Sequence, residues 1–317
     1  MSTPLLEVKR LKKYFETPRG LLHAVDDVDL SIDAGETLGV VGESGCGKST
    51  LGRLILRLLE PTDGEVLFDG QNILKYGPAE MKETRKQMQI VFQDPFSSLN
   101  PRMTVSEIIA EPIKVTRALP TQKQILERVF ELMETVGLAE RFVNTYPHEL
   151  DGGRRQRIGV ARALALNPKF IVCDEPVSAL DVSIQAQILN LMMDLQEEMG
   201  LTYMFITHDL SVVKHISNHI AVMYLGQCVE LSPADDLFEN PTHPYTRGLL
   251  DAIPLPSLSA RKKIDVMTGE VTSPVNPKPG CRFAPRCPKA TPDCTGSELK
   301  LEETRPGHFV SCFLYSG

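Results

Sequence analysis

Residues 42–50 read GESGCGKST, a glycine-rich stretch that ends in Lys48, Ser49 and Thr50. The stretch matches the pattern G-x-x-x-x-G-K-[ST], and it lies between an apolar segment, LGVV at 38–41, and a helical pattern that begins at Lys48. Its glycines let successive backbone N–H groups point into one concavity, and the following helix N-terminus adds positive potential. The sequence therefore predicts a phosphate-binding loop, called the P-loop below, between a strand and a helix.

The P-loop supplies candidate contacts to a nucleotide and its magnesium ion. We expect Lys48 to reach the outer phosphates and the Ser49 hydroxyl to ligate Mg²⁺. The candidate nucleotide contacts are Gly42, Glu43, Ser44, Gly45, Cys46, Gly47, Lys48, Ser49 and Thr50.

Three further segments place polar side chains at predicted strand ends. In FIVCDE (170–175), Asp174 is expected to hold the Mg²⁺ shell, and Glu175 to orient or deprotonate the attacking water. Gln93 ends QIVFQ and could complete the metal shell or sense the γ-phosphate. His208 ends TYMFITH, a position that faces the phosphate side of an α/β sheet. Together these residues predict a magnesium-dependent nucleotide hydrolase.

The composition bounds the class of protein. The 317 residues, 42% hydrophobic and 24% charged, allow a full core and a second, smaller domain. The formal net charge of −7 argues against a nucleic-acid partner. No run of 18 apolar residues and no secretory signal is found in the sequence, so we expect a cytosolic chain that does not itself span a membrane.

The alternation of patterns predicts an α/β fold. Segments rich in β-branched residues alternate with helical patterns, of which residues 121–138 and 182–200 are the clearest, so a parallel sheet covered on both faces is expected. Between about 96 and 165 the patterns are mostly helical, which predicts a helical insertion. After Pro233 the chain becomes proline-rich and irregular. We therefore predict an ATP-binding domain over 1–235 and a small C-terminal extension over 236–317.

The stretch ELDGGRRQRIGVARAL at 149–164 poses a separate question, because two glycines and several arginines precede and begin a helical pattern. Taken alone, a Gly-Gly pair is often only a loop, and arginines on a helix are usually a solvated face. The stretch by itself does not decide between these interpretations and a functional one.

The order of the motifs resembles the ATP-binding subunit of an ABC transporter over residues 5–235. The resemblance implies a P-loop NTPase fold with a mixed sheet core and an antiparallel β subdomain. It also implies that two subunits pair head to tail and enclose two ATP molecules. The motifs are Tyr14, GESGCGKST, Gln93, LDGGRRQ at 150–156, FIVCDE, SALD at 178–181, and His208.

The same resemblance assigns roles to individual residues. Gly152 and Gly153 would begin a helix whose amides bind the partner subunit's ATP. Tyr14 would stack on adenine, and Gln93 would link the site to the membrane subunits. His208 would contact the γ-phosphate, and Asp181 would act across the dimer.

The stretch at 150–154 departs from the family, because most relatives read LSGGQ where this chain reads LDGGR. Asp151 is a good N-cap for the following helix, and Arg154, three residues on, can pair with it. The Asp151 carboxylate could nevertheless occupy the amides intended for a phosphate. We therefore expect Asp151 and Arg154 to weaken the contact with the partner's ATP.

The C-terminal region also carries a resemblance. NPTHPYTRGLLDAIP (240–254) and PGCRFAPRCPKATPDC (279–294) resemble the extension found in ATP-binding subunits of dipeptide and oligopeptide importers. The cysteine spacing C-x5-C-x6-C-x17-C lacks the C-x2-C pairs of common zinc sites. A structural 4Fe-4S cluster is expected, with zinc or unliganded thiols as alternatives. The cysteines concerned are Cys281, Cys287, Cys294 and Cys312.

These observations predict an ATPase that powers import of dipeptides or oligopeptides. Its partners would be transmembrane permease subunits and either a sibling ATP-binding subunit or a second copy of itself, at the cytoplasmic face of the membrane. Alternatives are the ATPase of a nickel or other small-solute importer, and a weakly hydrolysing regulatory or redox-sensing subunit. An ABC-type ATPase without a transporter is disfavoured. Such proteins usually carry a long coiled coil or a second cassette, and the 317 residues show neither.

Overall fold

The computed structural model describes residues 4–253, 272–296 and 299–315. It divides into two units. Unit 1 comprises Met1–Asp33, Thr37–Leu74 and Ile206–Gly317. Unit 2 comprises Ala34–Glu36 and Lys75–Phe205.

In chain order the described strands are β1 Leu6–Thr17, β2 Gly20–Ile32, β3 Thr37–Val41, β4 Asp63–Phe68, β5 Gln71–Asn72, β6 Met88–Val91, β7 Phe170–Asp174, β8 Thr202–Ile206, β9 His219–Tyr224, β10 Gln227–Pro233, β11 Glu302–Arg305 and β12 His308–Val310. The described α-helices are α1 Lys48–Ile55, α2 Pro78–Gln87, α3 Pro95–Ser98, α4 Val105–Thr116, α5 Gln122–Thr135, α6 Gly152–Leu164, α7 Val182–Met199, α8 Leu210–Ile216, α9 Ala234–Glu239 and α10 Pro244–Asp251.

Unit 1 contains an antiparallel sheet in the order β2-β1-β4-β5. Leu6 and Val8 alternate with more exposed residues along the first half of β1, which is the pattern of a strand with one face toward a core. This sheet is the antiparallel subdomain that the sequence resemblance implies.

Strands of unit 1 also run in the order β11-β12-β10-β9-β3. β3 is parallel to β9, and the remaining neighbours are antiparallel. All five residues of β3 are buried, so this strand is covered on both faces, as its apolar sequence predicts. The β11–β12 hairpin belongs to the C-terminal extension, and β12 pairs with β10. The extension therefore has more regular structure than its proline content indicates.

Unit 2 holds strands in the order β8-β7-β6, with β6 and β7 parallel, together with α2 to α7. The described elements between β6 and β7 are all helical, and α5 and α7 lie in the two segments with the clearest helical periodicity. The predicted α/β P-loop fold is therefore confirmed. The domain boundaries at 96–165 and 235 remain predictions.

Helix α1 is shorter than the apolar pattern in the sequence predicts. The apolar spacing that begins at Lys48 continues to Pro61, but α1 ends at Ile55, and Arg57 has a left-handed backbone with φ +50°. In the described part of the chain, no helix combines the length and apolar character needed to cross a bilayer.

Candidate functional site

The P-loop connects β3 to α1 within unit 1. Lys48 is the first residue of α1, and its side chain turns back into the loop. Its Nζ donates hydrogen bonds to the carbonyl oxygens of Gly42, at 2.8 Å, and Glu43, at 3.0 Å. Lys48 is only 5% exposed, so the loop holds its charge in a fixed position. A buried ammonium beside backbone amides of a helix N-terminus is suited to a polyphosphate.

The glycine at position 47 is required by close packing. Gly47 is the N-cap of α1 and has φ +107°. A Cβ there would lie 2.2 Å from the carbonyl oxygen of Ala24 on β2, closer than any real contact. A side chain at position 47 would therefore displace the loop or β2.

Unit 2 places the two predicted carboxylates at the end of β7. All five residues of β7 are buried, and Asp174, the last of them, is 4% exposed. Glu175 follows with φ +50°, a left-handed backbone that is strained for a residue other than glycine. Its Oε2 accepts a hydrogen bond of 2.7 Å from Nε2 of Gln93, which follows the end of β6. The structure thus brings Gln93 and Glu175 together.

Tyr14 lies on β1 in unit 1, where two neighbours fix its orientation. Its ring stacks on His23 with 3.9 Å between centroids and 26° between planes. Its hydroxyl donates to the Asp26 carboxylate. Burial, followed by the hydrogen bond to Asp26, raises the pKa of Tyr14 above its ordinary value, so the phenol stays neutral. Stacking of Tyr14 on adenine remains a prediction.

His208 is exposed and lies between β8 and α8, in the same unit as the P-loop. The next residue, Asp209, caps α8 by accepting a 2.8 Å hydrogen bond from the Ser211 N–H. The cap fixes the backbone that carries the imidazole. Contact of His208 with a γ-phosphate remains a prediction.

The N-terminus of α6 shows both contacts predicted for the unusual pair. Asp151 is the N-cap, and its Oδ1 accepts a 2.8 Å hydrogen bond from the Arg154 N–H. Its Oδ2 lies 2.6 Å from Nη1 of Arg154. The carboxylate therefore uses an amide at the helix end where a phosphate is expected.

The other arginines of α6 do not form a basic patch. Arg155, Arg157 and Arg162 each donate to a backbone carbonyl within unit 2, those of Pro147, Val136 and Ser98 respectively. Capping of carbonyls is a structural use, so packing explains Arg155, Arg157 and Arg162, while contact of Arg154 with a nucleotide remains a prediction.

The Gly152–Gly153 pair also has a packing function. A Cβ on Gly153 would lie 2.7 Å from Cγ2 of Ile184, in the first turn of α7. Asp181 caps α7 by accepting a 3.0 Å hydrogen bond from the Ile184 N–H. The small residues thus let the start of α6 approach the start of α7 within unit 2. Their predicted contact with a partner's ATP is untested.

The prediction of a 4Fe-4S cluster, with zinc as an alternative, is wrong. All four C-terminal cysteines lie within 272–296 and 299–315, and among the residues described there and elsewhere no three His, Cys, Asp or Glu side chains form a metal-binding group. Burial raises the pKa of Cys281 to about 11 and also raises those of Cys287 and Cys312. Cys294 Sγ accepts a 3.4 Å hydrogen bond from the Thr291 N–H. The Cys281, Cys287 and Cys312 thiols therefore stay protonated near neutral pH, whereas metals bind thiolates.

Sequence reasoning missed a set of P-loop contacts from the C-terminal extension. Glu43 receives two hydrogen bonds from Arg286, and its N–H donates to the Tyr245 hydroxyl. Glu43 and Arg286 are 243 positions apart, so no local pattern connects them. The sequence signal for these contacts was only that Tyr245 and Arg286 lie inside the two C-terminal motifs, 240–254 and 279–294.

Two family profiles match the sequence. The profile described as ABC transporter matches residues 25–178. The profile described as oligopeptide/dipeptide transporter, C-terminal region, matches residues 229–294. The first match includes the P-loop, the glycine pair and both carboxylates.

Curated relatives match along nearly the whole chain. The oligopeptide transport ATP-binding protein OppF of Bacillus subtilis is 52% identical over 318 residues, which is 98% of this chain and 97% of that protein. AppF, of the same description and organism, is 52% identical over 322 residues, 98% of each chain.

Solved structures support the same assignment. The ATP-binding cassette MJ0796, in a dimeric post-hydrolysis state bound to ADP and Pi, is 31% identical with a TM-score of 0.66, over 72% of this chain and 98% of that one. CbiO1 from Clostridium perfringens, part of the ABC transporter complex cbiONQ, is 27% identical with a TM-score of 0.67, over 75% and 92%. This chain therefore belongs to the ABC transporter family of ATP-binding proteins, in the group that carries the oligopeptide/dipeptide transporter C-terminal region.

Proposed function

We propose that this chain hydrolyses MgATP to drive import of dipeptides and oligopeptides through a membrane transporter. The observation that carries the proposal is the 52% identity to oligopeptide transport ATP-binding proteins over 98% of the chain, which includes the C-terminal extension as well as the ATP-binding motifs. ATPase activity follows from membership of the family and from the P-loop. A nickel or other small-solute importer is less well supported, since these relatives are described as oligopeptide proteins.

The P-loop binds the phosphates of ATP. Lys48, fixed by the carbonyls of Gly42 and Glu43, presents its ammonium to the outer phosphates. Ser49, Asp174 and Gln93 offer a hydroxyl, a carboxylate and an amide oxygen, which are the hard ligands that Mg²⁺ prefers. The bound ion would neutralise charge on the phosphates.

Glu175 orients and deprotonates the attacking water. Its hydrogen bond from Gln93 holds the carboxylate in one orientation, and its strained backbone fixes the side chain at the strand end. Gln93 would therefore contact Mg²⁺ through its amide oxygen and the base Glu175 through its amide nitrogen. His208 donates to the γ-phosphate, and its position after β8 is set by the capped start of α8.

Hydrolysis takes place in a pair of ATP-binding subunits. MJ0796 is described as dimeric, and the helix that begins with Gly152 and Gly153 would bind the ATP of the opposite subunit. The partner is either a sibling subunit or a second copy of this chain. The pair binds permease subunits from the cytoplasmic face of the membrane.

Reconstitution with the permease subunits tests the proposal. Phosphate release from MgATP should rise when a peptide-loaded binding protein is added and should not rise with a nickel-loaded one. Stimulation by nickel instead of peptides would replace the proposed solute, and absence of hydrolysis under all conditions would remove the ATPase assignment.

A further inference from the structure

The C-terminal extension contacts the nucleotide-binding residues of unit 1 at three points. The first is along β2. The Pro274 carbonyl accepts a 3.0 Å hydrogen bond from the His23 N–H, and the Asn276 N–H donates to the Leu21 carbonyl at 2.9 Å. The extension therefore lies against the strand that carries His23, the residue on which Tyr14 stacks.

The second point is Arg282, whose side chain is 7% exposed. Its guanidinium donates to the Leu225 carbonyl and to the Asp26 carboxylate. Asp26 also accepts from the Tyr14 hydroxyl and lies 3.0 Å from Nδ1 of His23. Burial raises the pKa of Asp26, but the hydrogen bonds from Tyr14 and His23 and the charge of Arg282 lower it by a larger amount. The pKa of Asp26 therefore lies below its ordinary value, and the group is an anion. Arg282 thus secures the carboxylate that orients Tyr14.

The third point is Arg286, four residues further on and also 7% exposed in its side chain. Its two terminal nitrogens donate to the two Glu43 carboxylate oxygens at 2.8 and 2.9 Å, a two-point ion pair. The fully buried Tyr245 adds a 2.9 Å hydrogen bond from the Glu43 N–H to its hydroxyl. Glu43 in turn provides one of the two carbonyls that hold Lys48. Arg286 thus acts on the P-loop.

We propose that Arg282 and Arg286 are positioning residues for the nucleotide, Arg282 at the adenine end through Asp26 and Tyr14, and Arg286 at the phosphate end through Glu43. The inference rests on the proposed function, because it takes Tyr14 and the P-loop as the ATP contacts. It adds a function to the extension, which lies outside the matched ABC transporter profile.

The two arginines should affect different parts of the ligand. Without Arg286, Glu43 keeps its negative charge beside the phosphates and loses the contact that fixes the loop. Without Arg282, Asp26 loses its counter-charge and the Tyr14 ring loses a fixed orientation, while the ion pair between Arg286 and Glu43 is kept. Loss of Arg286 should therefore weaken the binding of any triphosphate. Loss of Arg282 should weaken the binding only of a ligand that carries a base.

Displacement of a fluorescent ATP analogue from the full-length chain tests this, with MgATP and inorganic Mg-tripolyphosphate as competitors. Arg286→Gln should weaken both competitors about tenfold. Arg282→Gln should weaken MgATP about fivefold and leave tripolyphosphate within about twofold of the parent. Glu43→Gln combined with Arg286→Gln should recover most of the lost affinity, because it removes the uncompensated charge.

Arg305→Gln is the matched control, because Arg305 is an arginine of the same extension whose guanidinium binds the Asn240 carbonyl and the Thr242 hydroxyl instead. It should leave both competitors unchanged. If Arg286→Gln does not fold, Arg286→Lys keeps the charge without the two-point bond and should weaken both about threefold. Parent-like affinities in the Arg286 variants, or equal losses for both competitors in Arg282→Gln, overturn the inference. A parent chain that fails to bind MgATP overturns the proposed function instead.

Discussion

Replacing Asp151 by serine and Arg154 by glutamine should strengthen ATP-dependent pairing of the chain about 20-fold. Asp151 now caps α6 with one carboxylate oxygen and binds the Arg154 guanidinium with the other. A phosphate that used the same helix end would meet this carboxylate at close range. The reversion removes the anion and keeps a hydroxyl that can still cap the helix.

The magnitude follows from the charges and their exposure. Two like charges about 4 Å apart repel by about 4 kcal/mol at an effective dielectric near 20. Arg154 offsets part of this, but its side chain and that of Asp151 are 46% and 55% exposed, and such an exposed pair is worth only about 0.5 kcal/mol. Solvent screening at such exposed side chains leaves about half of the remaining repulsion, and this net penalty of about 1.8 kcal/mol corresponds to about 20-fold in affinity.

Sedimentation velocity with and without MgATP measures the effect, in a Glu175→Gln background that retains ATP. The parent sequence should stay monomeric and the double reversion should form dimers. Arg154→Gln alone is the matched control, and it should not promote pairing because it keeps the carboxylate and removes only the guanidinium that offsets its charge. A double reversion that gains neither dimers nor, with Glu175 restored, faster hydrolysis refutes the electrostatic reasoning.

Three further predictions concern single residues. Glu175→Gln should keep MgATP affinity while phosphate release falls by about 100-fold or more, and unchanged turnover would exclude Glu175 as the base. Lys48→Ala should weaken MgATP binding itself by at least about tenfold by calorimetry, because the ammonium is needed in the ground state, and equal affinity would contradict this. Burial lowers the pKa of His308, but its hydrogen bonds to Glu230 and Asp236 raise it more, so the net pKa lies above its ordinary value. The stability gained from protonated His308 should be complete below about pH 6.5 and be lost as the pH rises through the raised pKa. Urea unfolding between pH 6 and 8 should show this loss, and His308→Gln should abolish it.

Local features could be predicted from the sequence because their causes are local. The P-loop, β3 and the strand before Asp174 follow from glycine spacing and from unbroken apolar runs. The cap at Asp151 follows from its side chain and its position. The end of α1 was misplaced because Leu58 and Leu59 continue the apolar spacing, whereas the backbone turns at Arg57.

Contacts between distant segments could not be predicted. Nothing near Glu43 indicates that its carboxylate is paired with Arg286, and nothing near Asp26 indicates Arg282. The cysteine prediction was wrong for a related reason. Spacing gives the distance along the chain, but ligation depends on which thiols converge and on whether burial keeps them protonated.

Uptake into vesicles tests the central claim most directly. Vesicles would contain the permease subunits with this chain and its ATP-binding partner on the ATP-accessible side, and a labelled oligopeptide would be supplied with its binding protein. We predict peptide accumulation that requires hydrolysable ATP and is lost with Lys48→Ala in this chain. ATP hydrolysis without peptide accumulation, or accumulation of another solute in its place, would contradict the account.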